Sequence, residues 1–276
     1  MAERRGWDHR RVTQQEHTEH GDPGVARAGE ILRTVVGSGV HGIAIAGTDD
    51  HDEMGVFVEP PAHVVGLDAP MDHYVFRTKP EGARSGHGDT DLVMYSLRRY
   101  LRLALKGNPT ALLPLFAPTD SVLRTTPLGD ELRALGPAIL SQRAVHRFLG
   151  YMNAQRDRLL GVRHGGLPNR PELVARYGYD VKYASHALRL AYQGLEVVRD
   201  GRLTLPMPPA ERERVLRVKR GDVAERDEVV REIAEVQTAI EERLAAGRTP
   251  LPIDPDLAAV SDWSVRAHRR HWGWAD

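Results

Sequence analysis

The stretch Val35–Val58, VVGSGVHGIAIAGTDDHDEMGVFV, decides how the rest of the chain is read. An apolar step ends in Gly37 and Ser38, eleven residues follow, and Asp50 and Asp52 then open a second apolar run, Met54 to Val58, which Pro60 and Pro61 stop. Strand side chains alternate between the two faces, so residues i and i+2 share one. At the start of a strand, Asp50 and Asp52 can therefore meet one ion. Bringing two anions together is unfavourable without a cation, and a pair of carboxylates suits Mg²⁺ or Mn²⁺, which take oxygen ligands. A glycine-flanked serine after an apolar run can offer backbone N–H groups and a hydroxyl to a phosphate.

Working outward, Gly24 to Leu32 predicts a short helix, with Val25, Ala28, Ile31 and Leu32 on one side. His73 to Arg77 and Asp91 to Tyr95 predict strands separated by a Gly-rich charged loop. Asp91 is the candidate for a third carboxylate on a neighbouring strand, which would complete a two-metal site. Asp89, two residues earlier, shares its face and is the alternative. Ser96 is placed to cap an amphipathic helix that Gly107 and Pro109 end. Lys106 and Asn108 just beyond it are further candidates on the substrate side.

From residue 119 the strand signals vanish and helical periods take over: 145–160, 181–198, 210–219 and 228–244. The fold class is α+β, organised as a polar N-terminal arm (1–22), a mixed helix and strand domain (23–118) and a helical C-terminal domain (119–276). Along 181–198, Lys182, His186, Arg189 and Gln193 recur at spacings of four, three and four and form a basic stripe beside the apolar one. The aromatic and basic C-terminus, with Trp263, Trp272 and Trp274, reads as a segment packed on the helical domain.

Composition bounds the class. The chain has 276 residues, 41% hydrophobic and 28% charged, and can bury a core without staples. It has no cysteine, which excludes disulfides and thiolate metal sites. Thirty-eight basic residues balance thirty-eight acidic ones, so there is no overall basic field for nucleic acid. The acidic excess, 16 against 13, lies in residues 1–118, the part that holds the aspartates. No apolar run is long enough to span a bilayer and the first residues lack an apolar signal region, so a cytoplasmic protein without membrane partners is expected.

The order Gly-Ser, about ten residues, Asp-x-Asp and a later strand Asp resembles the nucleotidyltransferase superfamily that includes DNA polymerase beta. The segments GVFVEPP, DLVMYSLRRYLRLALKGNPTALLPLFAP and YDVKYASHALRLAYQG are similar to the predicted nucleotidyltransferases associated with RNA ligases. The resemblance implies a polymerase-beta-like domain, a mixed sheet flanked by helices, with a helical annex closing over the nucleotide. It implies that Gly37 and Ser38 hold the triphosphate, that Asp50, Asp52 and Asp91 bind the metals and are catalytic, and that Lys182, His186 and Arg189 contact the triphosphate. The implied activity is Mg²⁺-dependent transfer of a nucleoside monophosphate from a nucleoside triphosphate to an acceptor hydroxyl, such as an RNA end. The chain departs from its relatives at Gly39, commonly basic, and at His51, commonly apolar or aromatic. Two other functions fit the residues: a metal-dependent phosphohydrolase using His41 and His51, and a non-catalytic nucleotide-sensing or partner-binding module.

Overall fold

A computed structural model of the protein describes residues 17–84, 86–162 and 170–275. Most of the expected arm, Trp7 included, and most of the expected loop at 161–171 lie outside them. The described chain runs β1 (Thr18–His20), α1 (Pro23–Ala28), β2 (Glu30–Val35), α2 (Gly37–His41), β3 (His51–Phe57), α3 (Pro61–Val64), β4 (His73–Arg77), β5 (Thr90–Ser96), α4 (Leu97–Leu105) and α5 (Pro109–Phe116). It continues with β6 (Val122–Thr125), α6 (Pro127–Ala134), α7 (Gly136–Ile139), α8 (Gln142–Leu159), α9 (Pro171–Tyr177), α10 (Val181–Asp200), α11 (Pro209–Arg220), α12 (Arg226–Ala245) and α13 (Leu257–Trp272).

The strands form one mixed six-stranded sheet in the order β1-β4-β5-β3-β2-β6. Only β3 and β5 pair in parallel; the other neighbours are antiparallel. The pleat sorts β3 by parity. Met54 and Val56 join the large core under the helices, whereas Phe57 joins Tyr74, Met94 and Ala26 in a small cluster on the other face. The large core runs without a break from β2 and β3 through α4, α5 and α8 into α10, α11 and α12. Helix α10 is the hub of the helical half and packs on α8, α11 and α12.

The expected α+β class, a mixed sheet with helices, is what the chain adopts. Three local expectations are corrected. Ile31 and Leu32 belong to strand β2, not to the helix begun at Gly24. That helix stops after Ala28, and Gly29 at its end lies so close to the Val58 carbonyl that a Cβ there would sit 2.2 Å from the oxygen. Thr18–His20, assigned to the arm, form edge strand β1 against β4. Val122–Thr125, beyond residue 118 where strands were expected to end, form β6 against β2. Both strands are short, lie at the sheet edges and are fixed by backbone pairing, so neither carries a hydrophobic period. The cap by Ser96 is present: its hydroxyl accepts from the Arg99 N–H.

Candidate active site

Site construction begins with strand register. In the parallel pair of β3 and β5, Asp52 stands opposite Asp91. Both have the parity of the residues that face the helices, Met54 and Val56 on β3 and Tyr95 on β5. Asp50, two residues before Asp52, turns to the same side. Asp50, Asp52 and Asp91 each offer a carboxylate oxygen, and the three oxygens lie within 4.8 Å of one another. Asp89, the alternative to Asp91, instead closes a loop, accepting from the Gly86 N–H and the Thr78 hydroxyl. Lys79 Nζ is 3.2 Å from Asp91 Oδ1.

The chain between Ser38 and Asp50 makes the short helix α2 and a return. Its first residue, Gly37, has φ +62°, and a Cβ there would lie 2.0 Å from Asp52 Oδ2. A side chain is excluded on both counts. Gly37→Ala therefore forces the Asp52 carboxylate aside, with an expected stability loss of about 1–2 kcal/mol from the left-handed backbone alone. A thermal melt and a transfer assay check it, the second expected to fall more than the melt explains.

Gly37, Ser38, Asp50 and Asp52 line a cleft of about 180 Å³ whose opposite wall carries Lys182, His186 and Arg189 from α10 and Lys219 from α11. Segments of the chain more than a hundred residues apart thus supply an acidic floor and a basic wall. Arg189 keeps some contact with solvent through the cleft, yet enough protein surrounds it to push its guanidinium down to about 10. Its bonds go to neutral groups: Nη1 donates to Gln193 Oε1 at 2.8 Å and lies 3.0 Å from His41 Nε2. Gln193 Nε2 lies 3.1 Å from His41 Nδ1. Burial, then the charge of Arg189, hold the His41 pKa well below its usual value, and the ring is neutral. Burial and the same cations push His186 down to about 3, so it enters the wall as a neutral hydrogen-bonding group.

Neither His41 nor His51 belongs to the three-carboxylate cluster, although His41 lines the same cleft. His41 is buried under Arg189, and His51 is exposed with Nε2 3.0 Å from Glu53. Lys106 and Asn108 do not line the cleft; Asn108 caps α5 and its Nδ2 donates to the Tyr151 hydroxyl. Lys219 was not expected. Its Nζ donates to both Asp49 oxygens, at 2.8 and 3.0 Å, and to the Ile43 carbonyl at 2.9 Å, tying α11 to the return loop. A lysine in the last turn of an exposed helix carries no signal in sequence, because that is where lysines ordinarily sit. Pro109, Thr110 and Leu113 of α5 also line the cleft.

Residues 11–270 match one known family, RlaP, described as the RNA repair pathway DNA polymerase beta family. The chain belongs to that family. No curated protein and no solved structure matches it. Family membership carries a nucleotidyltransferase-type function, and the acidic triad is compatible with a divalent metal. The donor set is oxygen only and anionic, which fits Mg²⁺ or Mn²⁺. Among the described residues, no helix is long and apolar enough to cross a membrane.

Burial first, then repulsion from Asp50 and Asp91, raise Asp52 from the ordinary 3.8 to about 6, against a smaller lowering by Lys182 and His51. The raised value means that the folded protein favours the proton. The stability this gives is full below about pH 4 and is lost as pH rises through 6. In EDTA, Asp52→Asn is therefore expected to gain on the unmutated protein between pH 4 and 7. The full shift is worth about 3 kcal/mol, and partial exposure of the carboxyl lowers this to about 1–2 kcal/mol. Urea denaturation of both proteins across that range measures it; a difference independent of pH contradicts it.

Proposed function

We propose that the protein is a Mg²⁺- or Mn²⁺-dependent nucleotidyltransferase that moves a nucleoside monophosphate from a nucleoside triphosphate onto an acceptor hydroxyl of RNA, releasing pyrophosphate. The observation that carries this is one cleft lined by Asp50 and Asp52, whose carboxylates converge with that of Asp91, and by an arginine whose hydrogen bonds, among the described residues, go to neutral groups. A bound polyphosphate would supply the anionic partner that Arg189 does not have among the described residues. The family's description as part of RNA repair supports an RNA acceptor.

Asp50, Asp52 and Asp91 would hold the divalent ions, whose charge, when bound, favours the attacking oxygen and the leaving pyrophosphate. Gly37 and Ser38 approach from the same side and suit the triphosphate by backbone N–H and hydroxyl. Lys182 acts as a point charge and Arg189 as a fork on the phosphate oxygens. His186, being neutral, donates or accepts a single hydrogen bond there. In the reaction the acceptor oxygen bonds to the α-phosphorus, the bond to the bridging oxygen breaks, and its electron pair leaves on pyrophosphate. The hydroxyl proton passes to a carboxylate of the cluster. Protein catalysis here is mainly positioning and charge.

The test incubates the full chain with each of four α-labelled triphosphates and Mg²⁺, with and without RNA carrying free hydroxyl ends. Label transferred to RNA, with pyrophosphate formed in equal amount, is expected. Phosphate release without transfer indicates a hydrolase. Tight triphosphate binding without any turnover indicates a sensor.

A further inference from the structure

A second concavity lies away from the cleft. Helices α3, α4 and α13 enclose a groove of about 610 Å³. Helix α13 contributes a stripe along its whole length, from Leu257 through Val260, Ser264, Val265 and His268 to Trp272, at the i, i+3, i+4, i+7 spacing of one helix face. Helix α4 contributes Arg98, Leu101, Arg102 and Leu105 at the same spacing. Several large apolar side chains here face solvent: Val65 is 66% exposed, Leu257 63%, Val265 56% and Trp274 47%. Trp272 is anchored beneath them, donating from its indole nitrogen to the Glu59 carbonyl at 2.8 Å and lying against Trp274 with ring centroids 4.7 Å apart.

The groove is apolar along its floor and positive at its rim. Arg98, Arg102 and Arg269 line it and, among the described residues, no carboxylate does. A valley between two helices, one of them 16 residues and so about 24 Å long, has the shape that takes a third helix. We propose that this groove receives an amphipathic helix of a partner protein, with an apolar stripe on the floor and acidic residues flanking it against the arginines.

The chain's own segments fit less well. Residues 1–16 hold four arginines against three carboxylates, the wrong balance for this rim. Helix α12 is acidic, but its apolar residues Val229, Ile233 and Ile240 are buried within the protein, so a second copy could offer only its polar face.

The test uses the full chain and a synthetic 16-residue helix with leucines at i, i+3, i+4 and i+7 repeats flanked by glutamates. Its twin carries lysines in place of the glutamates. Calorimetry is expected to show the glutamate peptide binding at least tenfold more tightly than its twin. Val265→Glu, at an exposed position, should lose that binding with an unchanged melt and unchanged nucleotidyl transfer. Arg98→Glu with Arg102→Glu should reverse the preference toward the lysine peptide. Failure of both peptides to bind, equal binding of the two, or binding indifferent to Val265→Glu overturns the proposal. So does a dimer in sedimentation that Val265→Glu dissociates, which makes the groove a self-interface. Val265-dependent binding of single-stranded RNA or phosphatidylserine vesicles in place of the peptide overturns it as well.

Discussion

Asp50→Asn with Asp52→Asn abolishes nucleotidyl transfer and leaves the fold standing. The carboxylates are brought within 4.8 Å of each other and of Asp91 by strand register, and nothing in the core depends on their charge. Asparagine keeps their shape and removes two anionic ligands, so the metal is no longer held where charge develops. A fall of about a thousandfold or more is expected, ~4 kcal/mol of transition-state stabilisation. Without metal the double variant should melt no lower than the unmutated protein at neutral pH, because repulsion among Asp50, Asp52 and Asp91 is relieved. Transfer within tenfold of the unmutated rate, at unchanged RNA and triphosphate, would overturn the assignment. Loss of the fold would instead show that these carboxylates are structural.

Arg189→Met weakens triphosphate binding strongly and apoprotein stability little. The guanidinium sits in the wall of the cleft, bonded to His41 and Gln193 and paired with no carboxylate among the described residues. Desolvating such a cation is costly, and methionine of similar length removes the cost. Against that, the variant loses hydrogen bonds to two neutral partners, about 1 kcal/mol each, so the two effects largely offset in the free protein. With nucleotide present they do not. A charge-assisted contact to phosphate is worth about 1.5–3 kcal/mol, or about ten- to a hundredfold in Kd. Arg189→Lys keeps the charge without the fork and should fall between. Titration of a non-hydrolysable triphosphate into the three proteins decides it, and equal affinities would remove Arg189 from the binding site.

Much of the site was readable because its signals are local. Asp50 and Asp52 share a face by the two-residue period of a strand, Gly37 is demanded by a positive φ, and the helices after residue 140 repeat their apolar residues at helical spacing. Asp91 could be preferred over Asp89 only from where a strand was expected to begin, and the pairing of Asp52 with Asp91 shows why that start matters. The stripe of Lys182, His186 and Arg189 was also visible, but an exposed basic face and a cleft wall have the same spacing. What separates them is the neighbour that covers the stripe, here His41 from α2, 148 residues away from Arg189 in the chain.

By itself the sequence determined the α+β class, the approximate positions of most helices and strands, and the acidic and basic candidates for the site. These follow from periodicity, capping and turn chemistry, each acting over a few residues. Only the tertiary structure decided the edge strands β1 and β6, the lysine that ties α11 to the return loop, the neutral state of His41 and His186, and the meeting of floor and wall in one cleft. Those depend on backbone pairing and on burial between segments distant in sequence, where no short-range pattern distinguishes a contact from open solvent.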